Sequence, residues 1–91
     1  MKERYVCRPE VAYRAIDGHV FLITPDGRQH ELHGDVENTV WQLCEIGESS
    51  FEEIVTSITE QFDVSGRDAA EDLTKFLDEL ISAGIVHKIP Q

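Results

Sequence analysis

Histidine, cysteine, serine and carboxylate are the side chains of this 91-residue chain with chemistry to offer, and none is arranged for catalysis. Ser49, Ser50 and Ser65 read as helix caps rather than nucleophiles. Glu52, Glu53 and Asp68 stand three residues after them, the capping-box spacing. His30 and His33 have ligand spacing for a helix, but on a strand their side chains point to opposite faces, so no metal site is expected. Cys7 and Cys44 fall outside metal or redox spacings, and two free thiols fit a cytoplasmic protein. Gly18, Gly27, Gly34, Gly47 and Gly84 punctuate elements and match neither a phosphate loop nor a dinucleotide fingerprint. Glu71-Asp72 and Asp78-Glu79 read as solvated helix surface. The chain is therefore expected to be no enzyme and to need no cofactor.

Length and charge narrow the alternatives. The residues suffice for one domain with its own core, spanning 1–91, and 41% hydrophobic content with a formal charge of −10 describes a folded, acidic chain. No apolar run approaches the roughly 18 residues of a membrane span, and Met1-Lys2-Glu3-Arg4 begins no signal peptide. Residues 1–34 hold five acids and five bases, whereas residues 35–91 hold 13 acids and three bases. All of the net charge thus sits in the second part, whose surface repels phosphate backbones and favours basic or neutral partners.

The elements that carry these groups follow in order. Residues 1–10 read as a flexible arm, since Pro9 discourages helix. Val11–Ile16 and His19–Thr24 are apolar-rich runs, each followed by an Asp-Gly pair (Asp17-Gly18 and Asp26-Gly27), a strong hairpin signal because both turn positions take φ > 0. With the polar stretch Arg28–His33 they make a three-stranded antiparallel meander. A first helix runs from Asp35, its expected N-cap, to about Ile46, with Val36, Val40, Leu43 and Cys44 on one face and Trp41 beside them. Ser49-Ser50 opens a second helix with Phe51, Ile54, Val55, Ile58 and Phe62 as its stripe. Ser65 caps a third, with Leu73, Phe76, Leu77, Leu80 and Ile81. Gly84 ends it, and Ile85–Ile89 forms a short extended tail. The fold class is α+β and winged-helix-like: a three-stranded meander followed by three helices.

The third strand is the odd one. Gln29 and Glu31 share one face and His30 and Leu32 the other, with only Leu32 a firm core residue. As the edge of a meander it keeps unpaired backbone groups that a peptide can complete by strand addition. Leu32→Pro, by removing a strand N–H, is the expected way to abolish such binding. A DNA reader is not expected: the third helix sets Arg67 and Lys75 against Asp68, Glu71, Asp72, Asp78 and Glu79, forgoing the counterion release that drives such binding. Two flanks of that helix are candidates to close a groove beside the strand. One is Ala69, Asp72 and Phe76; the other is Ala70, Thr74 and Ile81.

Glu31-Leu32, Asn38–Leu43, Ser50–Ile54, Ala70–Leu73, Phe76–Leu80 and Gly84-Ile85-Val86, in that order and spacing, resemble the PqqD family of small peptide chaperones, the RiPP recognition elements. The resemblance covers about residues 8–87. It implies a non-catalytic winged-helix-like domain that binds the leader of a ribosomally made precursor peptide. The leader would add as a strand and pack on the third helix, for delivery to an enzyme such as a radical SAM protein or a leader protease. Carried over by position, Arg28, Gln29, His30, Glu31 and Leu32 on the strand and Ala69, Asp72, Leu73 and Phe76 on the helix would hold the peptide. The family usually places Asn after the Leu, and His33-Gly34 stand here instead, so the strand-to-helix corner is expected to differ. The product is expected to be a quinone cofactor, a lasso peptide or a radical-modified peptide. No nucleic acid or membrane partner is expected, and the chain is a monomer or a strand-paired or domain-swapped homodimer. The alternative is a winged-helix adaptor or transcription-related interaction module.

Overall fold

Asp17-Gly18 makes a two-residue hairpin turn. Asp17 adopts φ 49° and Gly18 φ 81°, which joins strands β2 (Ala12–Ile16) and β3 (His19–Ile23) with Ile16 opposite His19. The structure is a computed structural model describing residues 2–90. Before this hairpin lies β1 (Glu3–Cys7). After it come β4 (Gln29–His33), helices α1 (Asp35–Ile46), α2 (Phe51–Gln61) and α3 (Gly66–Ser82), and β5 (Val86–Pro90). The α+β reading stands: β2, β3 and β4 form an antiparallel sheet in that order, and three helices follow.

Two turns differ from expectation. At the second Asp-Gly only Gly27 has positive φ, at 86°. Pro25 cannot take positive φ, so the chain spends a longer loop. Thr24 N–H donates to the Arg28 carbonyl (2.9 Å), Gly27 N–H to the Thr24 carbonyl (2.9 Å), and the Thr24 hydroxyl bonds Asp26. At the start of α1 the cap is Gly34 (φ 110°), not Asp35, and no side chain caps it. The Glu37 carboxylate instead reaches back to His33 N–H at 3.2 Å.

The capping box predicted at α2 is complete. Ser50 Oγ accepts from Glu53 N–H (3.3 Å), and the Glu53 carboxylate accepts from Ser50 N–H (2.9 Å). The bond from Ser50 N–H holds the Glu53 carboxyl below the ordinary carboxylate range. A lowered folded-state pKa stabilises above the unfolded value and is lost as pH falls through the folded one. Acid unfolding of Glu53→Gln should therefore show a shallower slope than wild type below about pH 4.5, with the two curves parallel near neutrality, as followed by urea melts across pH.

The flexible arm is replaced by a strand. β1 pairs antiparallel with β5, from Glu3 opposite Pro90 to Cys7 opposite Val86, in a separate two-stranded sheet that ties the chain ends together. Arg4 Nη1 donates to the Gly47 carbonyl (2.7 Å), and Tyr5 N–H to the Ser49 carbonyl (3.2 Å). Gly47 closes α1 at φ 76°, and a Cβ there would meet Val6 at 3.2 Å. Gly47→Ala should cost about 1–2 kcal/mol in a chemical denaturation curve, from the left-handed backbone alone.

The inner sheet face supplies Val20, Leu22 and Leu32 to a core completed by Val40, Trp41, Cys44, Ile54, Ile58, Leu73, Leu77, Leu80, Ile85 and Val86. Trp41 is buried, as its place beside the helix stripe suggested, with Tyr13 edge-on at 5.4 Å. Val36, expected on the core face, is 38% exposed.

Candidate peptide-binding groove

Among the described residues β4 has a strand partner only on one side, because the sheet order ends with it. Which of its backbone groups face out is settled by parity. Thr24 and Arg28 are a bonded pair, and opposed residues in an antiparallel ladder alternate between bonded and non-bonded. Leu22 with His30 and Val20 with Leu32 are therefore bonded pairs as well. The N–H and C=O groups of Gln29, Glu31 and His33 point to the open edge. Glu37 accepts the His33 N–H, which leaves Gln29 and Glu31 as the outward donors of β4. The Leu32 N–H faces β3, so proline there would break the sheet itself rather than the open edge.

Side chains alternate with the pleat. His30 and Leu32 point inward, Leu32 fully buried and His30 half-buried, while Gln29, Glu31 and His33 are exposed. Arg28 lies just before the strand and pairs with Asp26 at 2.9 Å. His30 Nε2 is buried and has no hydrogen-bond partner among the described residues.

Beside this strand runs a groove in two parts. One cavity of about 590 Å³ is lined by Arg28, His30, Glu31 and Leu32 on the strand side, by Glu37, and by Phe76, Asp78, Glu79, Leu80, Ser82 and Ala83. A second of about 250 Å³ lies between the helices, lined by Val36, Glu37, Val40, Ile58, Val64, Ala69, Asp72, Leu73 and Phe76. Glu37 and Phe76 border both. The flank of α3 on this groove is therefore Ala69, Asp72 and Phe76; Ala70, Thr74 and Ile81 line neither cavity.

Eight of the nine predicted site residues line the two cavities, and the ninth, Gln29, offers its backbone to the edge. Sequence reasoning missed Val36, Glu37, Val40, Ile58 and Val64. Val40 and Ile58 read as ordinary stripe residues. Only Glu37, an acid in the first turn of an uncapped helix, carried a usable signal.

A hydrogen bond with the Cys44 thiol, followed by burial, pushes the Cys7 thiol far above its ordinary value, so the Cys7 sulfur is not poised as a thiolate. No described helix is long and apolar enough to cross a membrane.

The family model for coenzyme PQQ synthesis protein D (PqqD) matches residues 30–86. The chain belongs to the PqqD family. Solved structures share the fold. TbiB1 in complex with the TbiA(beta) leader peptide is 28% identical, with TM-score 0.82 over 90% of this PqqD-family chain and 94% of that one. Lasso peptide synthetase B1 complexed with the leader peptide is 20% identical, with TM-score 0.75 over 91% and 96%. The heterocyclase TruD is 20% identical with TM-score 0.65, covering 96% of this chain but 12% of its own, so there the same fold is a small part of a larger protein. No curated protein matches the sequence.

Proposed function

We propose that this chain binds the leader segment of a ribosomally made precursor peptide as a strand added to β4, and presents it to a peptide-modifying enzyme such as a radical SAM protein or a leader protease. The single observation behind this reading is the open β4 edge, with Gln29 and Glu31 turned outward beside a groove that α1 and α3 complete. Its support from relatives is that TbiB1, 28% identical, is in complex with a leader peptide.

The groove describes its ligand. An apolar cavity of about 150 Å³ accepts a benzene-sized ring, so the 250 Å³ cleft between the helices has room for one aromatic or large aliphatic anchor. Glu37 and Asp72 line that cleft, and Glu31, Asp78 and Glu79 line the adjoining cavity against Arg28 alone. A leader with lysine or arginine flanking its anchor fits this charge. A few strand hydrogen bonds and one anchor, set against the ordering of a disordered leader, correspond to about −8 kcal/mol, a micromolar Kd that permits release. In this reading the chain works in the cytoplasm without catalysing the modification, and strand pairing with a second copy would compete with the leader for the same edge.

Backbone amide NMR with synthetic leader segments of short reading frames neighbouring the gene tests the reading. Saturable shifts concentrated at Gln29–His33, Glu37 and Phe76 are expected. Shifts centred elsewhere, or none with any segment, would transfer the case to an adaptor role.

A further inference from the structure

The outer face of the sheet brings together three side chains that the sequence separates. His19 on β3 stands directly opposite His33 on β4. By the parity of the ladder this is a non-bonded pair, the kind whose side chains approach most closely. Glu31, two residues before His33, shares its face. His19 Nδ1 lies 2.8 Å from Glu31 Oε2 and His33 Nδ1 lies 3.7 Å from the same oxygen. All three donor atoms fall within 4.8 Å of one another. Phe21 stacks on the His19 ring at 6.3 Å and 22°, bracing it.

We propose that His19, Glu31 and His33 form a binding site for a divalent transition-metal ion, with Zn²⁺ as its simplest occupant. Ligand bonds of about 2.0–2.1 Å in a tetrahedron put donor atoms about 3.3 Å apart, and the observed separations bracket that figure, so small rotations of exposed side chains suffice. Two imidazoles and a carboxylate select zinc, nickel or copper over magnesium and calcium, which take oxygen ligands. A hydrogen bond accounts for His19 with Glu31 but leaves the second imidazole too far for one at 3.7 Å. A cation between the three draws in all of them. The site has three protein ligands, with remaining positions for water, and it cross-links β3 to the open edge strand. It shares Glu31 with the groove, but the ligand geometry is argued without the peptide-binding reading.

The test is a Zn²⁺ titration of the full chain by calorimetry, with His19→Ala and His33→Ala in parallel and circular dichroism to show that each variant is folded. One equivalent should bind, and each variant should weaken binding at least about tenfold. The ring protons of His19 and His33 should shift, while those of His30 and His87 stay. Co²⁺ in place of Zn²⁺ should give no thiolate charge-transfer band, which excludes Cys7 as the ligand. Binding weaker than about 1 mM, wild-type affinity in a folded His19→Ala protein, or shifts centred on His30 or His87 would each overturn the assignment.

Discussion

Glu31→Pro is expected to lower leader affinity at least about thirtyfold, roughly 2 kcal/mol, in a protein that remains folded, whereas Leu32→Pro is expected to unfold it. The two positions differ in the direction of one N–H and in the burial of the side chain. Glu31 donates outward, its side chain is exposed, and proline is tolerated on an edge strand when its missing donor faces solvent. The added strand loses a bond worth about 0.5–1.5 kcal/mol, and the pyrrolidine ring occupies the place where the peptide backbone must approach. Leu32 is 4% exposed and bonded to Val20. Replacing it removes a ladder bond and opens a cavity, a loss of about 2–5 kcal/mol from a domain whose total is about 5–14 kcal/mol. Fluorescence anisotropy with a labelled leader segment, beside thermal melts, separates the two. Glu31→Ala should bind within about threefold of wild type, because it keeps the N–H. A folded Glu31→Pro protein with undiminished affinity would sink strand addition at β4.

Phe76→Ala is expected to cost about 2 kcal/mol of binding, again near thirtyfold, with a smaller loss of stability. Phe76 is half-buried and borders both cavities, so its ring is the common wall of the strand side and the helical cleft. Truncation merges the two spaces and removes the surface against which a leader anchor packs. Because the ring is only partly buried, it contributes less to the core than Leu73 or Leu77, each 2% exposed. Phe76→Leu should recover most of the affinity. If folded Phe76→Ala binds within about threefold of wild type, the anchor sits elsewhere.

Much of this was legible before the chain was folded, for a common reason. The Asp17-Gly18 turn, the Ser50/Glu53 box, the Ser65 cap and the α3 stripe are all decided among residues within a few positions of one another. Turn chemistry, capping and amphipathic period act over that range, so composition and spacing suffice. The acidic balance of the helical part and the openness of the third strand of a meander are equally local. The nine residues carried over by the family resemblance are placed by the same patterns, an edge strand and one flank of α3, and eight of them line the two cavities.

What only the tertiary structure decided depends on pairings between distant segments. β1 lacked a strand signal because its partner β5 lies at the other end of the chain, and non-local pairing leaves no periodicity behind. The flank of α3 that faces β4 is set by how the helix rolls onto the sheet, and Ala69, Asp72 and Phe76 compete on equal terms with Ala70, Thr74 and Ile81 until it does. The direction of each β4 amide depends on the length of the loop at Pro25–Gly27, which fixes the parity of the ladder. That parity puts the Glu31 N–H at the open edge and the Leu32 N–H against β3. The register then sets His19 across from His33, while His30, adjacent in sequence to Glu31, turns to the opposite face.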